Sequence, residues 1–246
     1  MTRSKRLAFF LPNIFTALNM ACGFASILLG IQGRIYEAAM ILILGAIFDS
    51  VDGRVARLTG TSSSFGEQFD SLSDLISFGI APALLVHQKY LFLYGRLGAV
   101  ISFIFLLCAA LRLARFNANI EKIGSAYFQG LPSPGAALAI IGAVILSTEY
   151  PIIDNFSILF LPYTAFYGVL MITTIPFYSF KDSEFIKKHR KFSLFILFML
   201  VAFTVSYYQI MIALGMCAYI LIALVYYLKN RREIMDVFGW AEESDH

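Results

Sequence analysis

The stretch DSVDGRVARLTGTSSSFGEQFDSLSD, residues 49–74, is a polar window in an otherwise apolar chain. It is preceded by FASILLG and followed by ISFGIAPALLV, and it holds four aspartates, one glutamate and two arginines. The hydroxyl-rich TGTSSS in its middle is typical of a turn that leads into a helix, because hydroxyl groups cap helix starts. The window therefore predicts two helices that are joined by a short loop and carry acidic residues at the ends that meet.

The composition around this window is that of a membrane protein. The chain has 246 residues, of which 59% are hydrophobic and 14% charged, and its mean hydropathy is +0.75. Soluble domains are about 45–50% apolar and about 25% charged. Apolar blocks recur at roughly the 18–25 residues that a helix needs to cross a bilayer. We therefore expect an all-α polytopic transmembrane bundle with about eight spans, at residues 8–32, 35–57, 66–92, 95–117, 134–149, 156–180, 191–208 and 210–229.

The basic residues indicate how these spans are oriented. If the amino end is cytosolic, all nineteen Lys and Arg residues except Arg34, Lys89 and Arg96 lie on or beside cytosolic segments. This excess is the positive-inside pattern of membrane proteins. It predicts an integral protein of the cytoplasmic membrane with the acidic window at the cytosolic face. The residues after position 229 are expected to form a short cytosolic tail, and no nucleic-acid partner is expected.

The acidic residues of the window share helix faces. Helical residues turn by about 100° each, so positions 49, 52, 53 and 56 lie within about 100° of one another. Gly66, Asp70 and Asp74 follow at four-residue steps and share one face of the next helix. The short loop makes the two helices neighbours. Four carboxylates are therefore expected to converge, those of Asp49, Asp52, Asp70 and Asp74.

Four carboxylates at membrane depth cannot all stay ionised without compensation. Like charges oppose one another's ionisation, and a carboxylate inside a span costs about 2.5–3.5 kcal/mol on insertion scales. Divalent cations remove both problems. The candidate ligands are all oxygen atoms, with no His or Cys at matching spacing, which favours Mg²⁺, Mn²⁺ or Ca²⁺ over Zn²⁺. Four carboxylates suffice for two ions that share ligands, and such metal pairs serve phosphoryl displacement.

The remaining residues of the window fit a bound phosphate. Gly53 and Ala56 leave the helix surface bare, so that a ligand can approach the backbone. Arg57 offers a guanidinium fork for phosphate oxygens, and the hydroxyls of residues 59–64 can donate at a helix start. The alternative is that individual aspartates form interfacial salt bridges with Arg54 or Arg57, but the joint spacing of all four disfavours it.

The pattern D-x-x-D-G-x-x-A-R-x8-G-x-x-x-D-x-x-x-D, complete in residues 49–74, resembles the signature of the CDP-alcohol phosphotransferases. These membrane enzymes attack the β-phosphorus of a CDP-linked lipid or alcohol with a hydroxyl and release CMP. The resemblance implies a six-helix core in a homodimer, and it implies that Asp74 both binds metal and takes the proton from the acceptor. The other roles that it implies are metal ligation by Asp49, Asp52 and Asp70, nucleotide or diphosphate contacts by Gly53, Arg57 and Ser63, and a cytidine pocket lined by Asn13 and Thr16. Ala56 and Gly66 complete the signature and are counted with the binding residues.

Three further segments are similar to family members that use serine as acceptor: LPNIFTALNMACGFASI at 11–27, LRLARFN at 111–117 and FQGLPSPGAA at 128–137. The resemblance covers roughly residues 8–180. It implies CDP-diacylglycerol and L-serine as substrates, phosphatidylserine and CMP as products, and two Mg²⁺ or Mn²⁺ ions as cofactor. On this basis we expect a catalytic domain at 1–180, an added helix pair at 181–229 and a tail at 230–246.

Arg112 and Arg115 lie at the cytosolic end of the fourth predicted span, on the same side as the aspartates. An arginine that faces inward could bind a serine carboxylate or a lipid phosphate with two hydrogen bonds, whereas one that faces outward would only anchor the span. We predict that one of the two contacts substrate.

Other functions stay open at this point. The same chemistry could use glycerol 3-phosphate or inositol as acceptor. A cation transporter could use the aspartates as its permeation site, although transporter sites lie near the bilayer midplane and these aspartates lie at helix ends. An intramembrane aspartyl protease would need only two aspartates and would leave G-x-x-A-R unexplained.

Overall fold

A computed structural model describes residues 3–60, 63–119, 127–173 and 176–178, together with Gly215, Ala218 and Tyr219. Apart from connecting turns and one short strand pair, the described residues are helical, which confirms the predicted all-α class. The elements in chain order are α1 (Arg3–Ile31), α2 (Ile35–Thr59), α3 (Ser64–Asp74), a π-helical segment (Leu75–Ile80), α4 (Ala81–Lys89), a 3₁₀ segment (Leu91–Tyr94), α5 (Gly95–Asn119), β1 (Tyr127–Gln129), α6 (Ser133–Glu149), a second 3₁₀ segment (Pro151–Leu159), α7 (Phe160–Ile172) and β2 (Pro176–Tyr178).

The first five predicted spans coincide with helical stretches of the structure, whereas the sixth, predicted at 156–180, is helical only as far as Ile172, and β2 occupies Pro176–Tyr178. Among the described residues, four stretches are long and apolar enough to cross a membrane, at Pro12–Ile31, Ser64–Lys89, Leu91–Ala118 and Pro151–Ile172. The chain is therefore an integral membrane protein. α2 is not among these four and α6 is apolar but shorter, so the count of six core spans stays a prediction. The predicted spans at 191–208 and 210–229 and the tail lie outside the described residues, apart from three isolated positions.

α1 packs closely against the helix that carries the second half of the acidic window. The Ser73 hydroxyl donates to the carbonyl of Thr16 at 2.9 Å. One turn later, the Ser77 hydroxyl donates to the carbonyl of Asn19, also at 2.9 Å. Gly23 permits this approach, because a Cβ atom there would lie 2.5 Å from Ser77 Oγ and 2.9 Å from Ser77 Cα. The first helix is thereby fixed against the helix that contributes two of the aspartates.

Gly23→Ala is expected to destabilise the folded protein by about 1–3 kcal/mol, because the added methyl group meets the backbone of Ser77. Thermal unfolding of the detergent-purified protein measures this effect. Gly53→Ala is the matched control, since a Cβ atom there meets nothing within 4 Å and alanine favours a helix over glycine. Equal losses of stability in the two variants would show that Gly23 is not a close contact.

Gly130 and Leu131, shortly before α6, lie against the end of α7. Leu131 donates its backbone amide to the carbonyl of Leu170 at 3.0 Å. Gly130 adopts a φ of +77°, and a Cβ atom there would collide with the carbonyl of Met171. Just before this contact, β1 and β2 pair in a three-residue antiparallel ladder. The start of α6 is therefore held in place by the end of α7.

A polar cluster ties the segment before α7 to the end of α4. Tyr90 Oη donates to Asp154 Oδ1 at 2.6 Å, and the Tyr90 ring stacks on Phe160 with centroids 3.9 Å apart. Lys89 Nζ lies 3.8 Å from the same Asp154 oxygen. This cluster lies at the opposite end of the bundle from the acidic window, because α4 continues the helix that begins at α3.

Candidate active site

Three of the four predicted carboxylates come together between α2, which carries Asp49, and α3, which carries Asp70 and Asp74. One oxygen each of Asp49, Asp70 and Asp74 lies within 4.8 Å of the other two. Asp49 and Asp74 are also within hydrogen-bonding reach of each other. Asp74 is only 9% exposed, while Asp49 and Asp70 are half-buried. We refer to Asp49, Asp70 and Asp74 as the acidic group.

Asp52 is held from α1. The residue is 5% exposed, and its Oδ2 accepts a hydrogen bond from Thr16 Oγ1 at 3.0 Å. The Thr16 hydroxyl also lies 3.2 Å from the carbonyl of Pro12, so its single proton can serve either acceptor. The structure thus places Thr16 against a predicted metal ligand, and its part in a cytidine pocket stays a prediction.

The chemistry of the acidic group fits a divalent cation. Three carboxylate oxygens within 4.8 Å of one another can contact a single ion, and oxygen ligands suit hard cations such as Mg²⁺ or Mn²⁺. Asp70 Oδ1 is buried and has no hydrogen-bond partner among the described atoms. An unpaired oxygen of this kind is costly in a membrane protein and is normally bound to a donor or a cation. Asp70 is therefore well suited to ligate metal.

Asn19 of α1 also contacts the acidic group, although the sequence did not single it out. Its Nδ2 donates to Asp74 Oδ1 at 3.3 Å, and the residue is completely buried. Asn19 follows Thr16 by three residues, so both side chains leave the same face of α1. The signal that could have found Asn19 is an amide inside an apolar span, because such a group is costly there unless it is paired.

The structure brings three predicted binding residues together at the start of α3. Ser63 is the N-cap of α3, and its Oγ accepts a hydrogen bond from the Gly66 amide at 3.1 Å. A Cβ atom on Gly66 would lie 3.3 Å from Ser63 Oγ and 3.5 Å from Asn13 Oδ1. Asn13 of α1 therefore lies next to this cap, as a shared nucleotide site would require.

The surface of α2 next to the acidic group is bare. An added Cβ atom on Gly53 would meet nothing within 4 Å, and Ala56 lies one turn further along the helix. A phosphate can therefore approach the backbone of α2 at this point. The side chain of Arg57 lies outside the described part of the structure, so its predicted phosphate contact stays a prediction.

Salt bridges do not account for the aspartates in the part of the chain that the structure describes. The ion pairs among the described side chains join Arg34 to Glu37 and Lys89 to Asp154. Neither pair includes an aspartate of residues 49–74. The interfacial pairing of an aspartate with Arg54, which the sequence left open, is not formed.

Arg112 of α5 faces the acidic group. It is buried, and its Nη1 donates to Ser133 Oγ at the start of α6 at 2.9 Å. Its guanidinium is close enough to Asp74 and Asp49 for direct electrostatic attraction. Its Nε is buried and has no hydrogen-bond partner among the described atoms. Arg112 therefore brings positive charge and an unused donor to the site.

Arg115, three residues later, has different surroundings. Its Nη1 donates to the carbonyl of Ile172 at 3.0 Å. Its Nη2 lies 3.3 Å from the carbonyl of Thr173 and 3.4 Å from that of Met171. Cations commonly stabilise helix ends in this way. Arg115 therefore caps α7, and of the two arginines only Arg112 is within electrostatic reach of the aspartates.

The sequence of this chain is similar to those of known membrane enzymes. A sequence model of the family described as CDP-alcohol phosphatidyltransferase matches residues 9–224. The chain belongs to this family. It is similar to the CDP-diacylglycerol–serine O-phosphatidyltransferase of Helicobacter pylori, with 39% identity over 171 residues, which are 69% of this chain and 72% of that protein.

Two archaeal members of the family show a comparable similarity. The CDP-diacylglycerol–serine O-phosphatidyltransferase of Methanocaldococcus jannaschii is 40% identical over 172 residues, which are 70% of this chain and 75% of that protein. The archaetidylserine synthase of Methanothermobacter thermautotrophicus is 41% identical over 145 residues, or 57% of this chain and 60% of its own. The resemblance that the aspartate signature indicated is thus confirmed.

The match to the CDP-alcohol phosphatidyltransferase family continues to residue 224, beyond residue 180. The predicted division of the chain into 1–180, 181–229 and 230–246 stays a prediction. The roles of the individual site residues are likewise predictions, and the contacts of these residues in the structure show how each role can be tested.

Proposed function

We propose that this chain transfers the phosphatidyl group of CDP-diacylglycerol to the hydroxyl of L-serine, giving phosphatidylserine and CMP. The observation that carries the proposal is the acidic group with a buried arginine beside it, in a chain of this family. Carboxylates hold the cations that a diphosphate requires, and an arginine suits an acceptor that bears a carboxylate. The names of the Helicobacter and Methanocaldococcus relatives, which specify serine, support the same acceptor.

The proposed cofactor is a pair of divalent cations, Mg²⁺ or Mn²⁺, held by Asp49, Asp52, Asp70 and Asp74. When bound, such ions neutralise the diphosphate and the charge that grows on the departing CMP. Gly53 adjoins these ligands on α2, where the open helix surface lets phosphate oxygens approach the backbone.

Asp74 is the proposed general base. Its carboxylate takes the proton of the serine hydroxyl while the serine oxygen forms a bond to the β-phosphorus. The bond between that phosphorus and the oxygen that bridges to the CMP moiety breaks, and CMP leaves with its electron pair. The proton then passes from Asp74 to water. This direct displacement needs no covalent intermediate with the protein.

The membrane arrangement follows from the same proposal. The site would face the cytosol, because most basic residues lie at that end of the predicted spans. Cytosolic serine and CMP could then reach it from water while the lipid substrate enters from the adjoining leaflet. The resemblance to the family supports a homodimer, which chemical cross-linking in native membranes would test.

Arg112→Lys is expected to raise the KM for serine about tenfold or more, with a smaller change in the KM for CDP-diacylglycerol. Lysine keeps the charge but loses the planar fork that binds a carboxylate, a loss comparable to one charge-assisted hydrogen bond. Arg115→Lys is the matched control, because the Arg115 guanidinium donates to carbonyls at the end of α7. Unchanged Michaelis constants for serine in both variants would remove the acceptor role from these arginines.

The experiment that tests the proposed function is an acceptor panel. Purified protein is given CDP-diacylglycerol, Mn²⁺ and, separately, labelled L-serine, glycerol 3-phosphate or inositol. We expect CMP and phosphatidylserine in equal amounts with serine, and no lipid product with the other two acceptors. Product from another acceptor would keep the chemistry but change the substrate. If no acceptor leads to CMP release, the proposed enzymatic activity is contradicted, and the cation transporter becomes the leading hypothesis.

A further inference from the structure

We propose that Asn19 is a positioning residue for Asp74, and that α1 thereby sets the geometry of the acidic group before substrate binds. The inference rests on the proposed function, in which Asp74 binds metal and takes the acceptor proton. α1 precedes the aspartate signature and contributes none of its residues. The contact of Asn19 with Asp74 is visible only from the packing of α1 against α3.

The contact restricts one end of the Asp74 side chain. Asn19 Nδ2 donates to Asp74 Oδ1 at 3.3 Å, and both residues are buried. A carboxylate with one oxygen held in this way cannot rotate freely about its last side-chain bond. The direction of its second oxygen is therefore fixed as well, which is what a metal ligand or a proton acceptor needs.

Asn19 is itself held rigidly. Its backbone carbonyl accepts the hydroxyl proton of Ser77 at 2.9 Å, and Gly23 keeps the two helices in contact one turn later. Because Ser77 follows Asp74 by three residues, the same helix face that carries the carboxylate also fixes its partner on α1. The amide and the carboxylate therefore cannot move apart independently.

Of the two ends of the Asn19 amide, only the NH₂ group makes a hydrogen bond within the described structure. Oδ1 is buried without a hydrogen-bond partner among the described atoms. It points toward α2, because a Cβ atom on Gly45 would lie 3.2 Å from it. A buried unpaired oxygen opposes folding, whereas a leucine of the same branched shape would pack there without that cost. The contribution of Asn19 therefore comes from its contact with Asp74.

α1 makes a side-chain hydrogen bond to an aspartate on each of the two acidic helices. One turn before Asn19, the Thr16 hydroxyl lies 3.0 Å from Asp52 Oδ2 on α2. α1 thus holds one aspartate of α2 and one of α3 from a single face. Outer partners of metal ligands typically contribute about 10–100-fold to metal affinity or activity. Asn19 is expected to contribute on this scale.

The test uses the full-length Asn19→Leu variant in detergent. We expect its Mn²⁺ affinity, measured by electron paramagnetic resonance titration without substrates, to fall about 10–100-fold. We expect kcat to fall by a similar factor with little change in the KM for serine. Its metal-free unfolding temperature should be close to that of the wild type, because removal of the unpaired Oδ1 offsets the loss of the donor to Asp74 Oδ1.

The matched control is Ser26→Ala, which removes another buried hydrogen bond of α1, from Ser26 Oγ to the carbonyl of Ala38 at 2.9 Å. This variant should lose stability and keep its Mn²⁺ affinity. Unchanged Mn²⁺ affinity and kcat in Asn19→Leu would overturn the inference. So would a loss of affinity that is matched by a loss of metal-free stability, since that pattern belongs to a structural residue.

Two further outcomes are separable. If the leucine variant cannot be recovered folded, Asn19→Ala is measured in the same way and the same criteria apply. If the wild type makes no phosphatidylserine but Asn19→Leu still weakens Mn²⁺ binding, the positioning role stands and the acceptor assignment fails. The metal titration needs no acceptor, so the two proposals fail independently.

Discussion

Replacing Asp74 with asparagine is expected to lower kcat for phosphatidyl transfer by about a thousandfold or more while the protein still folds. Asparagine keeps the shape of the side chain and can still accept the hydrogen bond from Asn19. It can neither take a proton nor bind a cation as a carboxylate does. It also leaves two instead of three neighbouring carboxyl groups, so the metal-free protein should unfold at a temperature no lower than that of the wild type.

Asp154→Asn is the matched control for this experiment. Asp154 also accepts a short hydrogen bond, from Tyr90 at 2.6 Å, but it lies at the other end of the bundle. Its replacement should lower stability by about 1 kcal/mol and leave kcat unchanged. Steady-state transfer assays and thermal unfolding report both quantities. Transfer by Asp74→Asn within about tenfold of the wild type would show that Asp74 is not the base.

Removal of divalent metal is the second change with a large expected effect. A chelator should abolish transfer, and added Mg²⁺ or Mn²⁺ should restore it. Metal should also stabilise the folded protein, because only the folded chain brings the carboxylates together. At a metal concentration a hundred times Kd the gain is about 2.7 kcal/mol, or roughly 5–11 °C in unfolding temperature for a chain of this size.

The Asp70→Asn variant shows whether this metal effect arises at the acidic group. Asp70 carries the buried oxygen without a partner among the described atoms, so its loss should remove most of the metal-induced rise in unfolding temperature. Ser26→Ala should keep that rise although its starting stability is lower. Full activity after chelation, or an undiminished temperature rise in Asp70→Asn, would refute a catalytic metal at this place.

The sequence predicted the helix pair and its acidic faces because both depend on local spacing. Asp70 and Asp74 lie on one face of α3 because residues four positions apart on a helix always do. The connection between α2 and α3 is only residues 60–63, so the two helices must lie next to each other. The apolar blocks likewise located the first five helical stretches and most of the sixth, because bilayer thickness sets their length. These features need no knowledge of how distant segments pack.

The contacts from α1 and α5 could not be predicted in the same way. Asn19 and Asp74 are 55 positions apart, and their contact depends on the crossing of α1 and α3 that Gly23 permits. Arg112 and Arg115 differ by less than one helical turn. Only the position of α7, whose end accepts the Arg115 guanidinium, shows which of them faces the aspartates.

The central claim is that the acidic group holds cations that in turn hold the diphosphate of the lipid substrate. The number of Mn²⁺ ions bound per chain in the presence of CDP-diacylglycerol tests it most directly, by electron paramagnetic resonance. The comparison is between the wild type and a variant in which Asp49 and Asp70 are both replaced by asparagine. We predict two ions per wild-type chain and loss of this binding in the variant. Equal Mn²⁺ binding by the two proteins would contradict the claim.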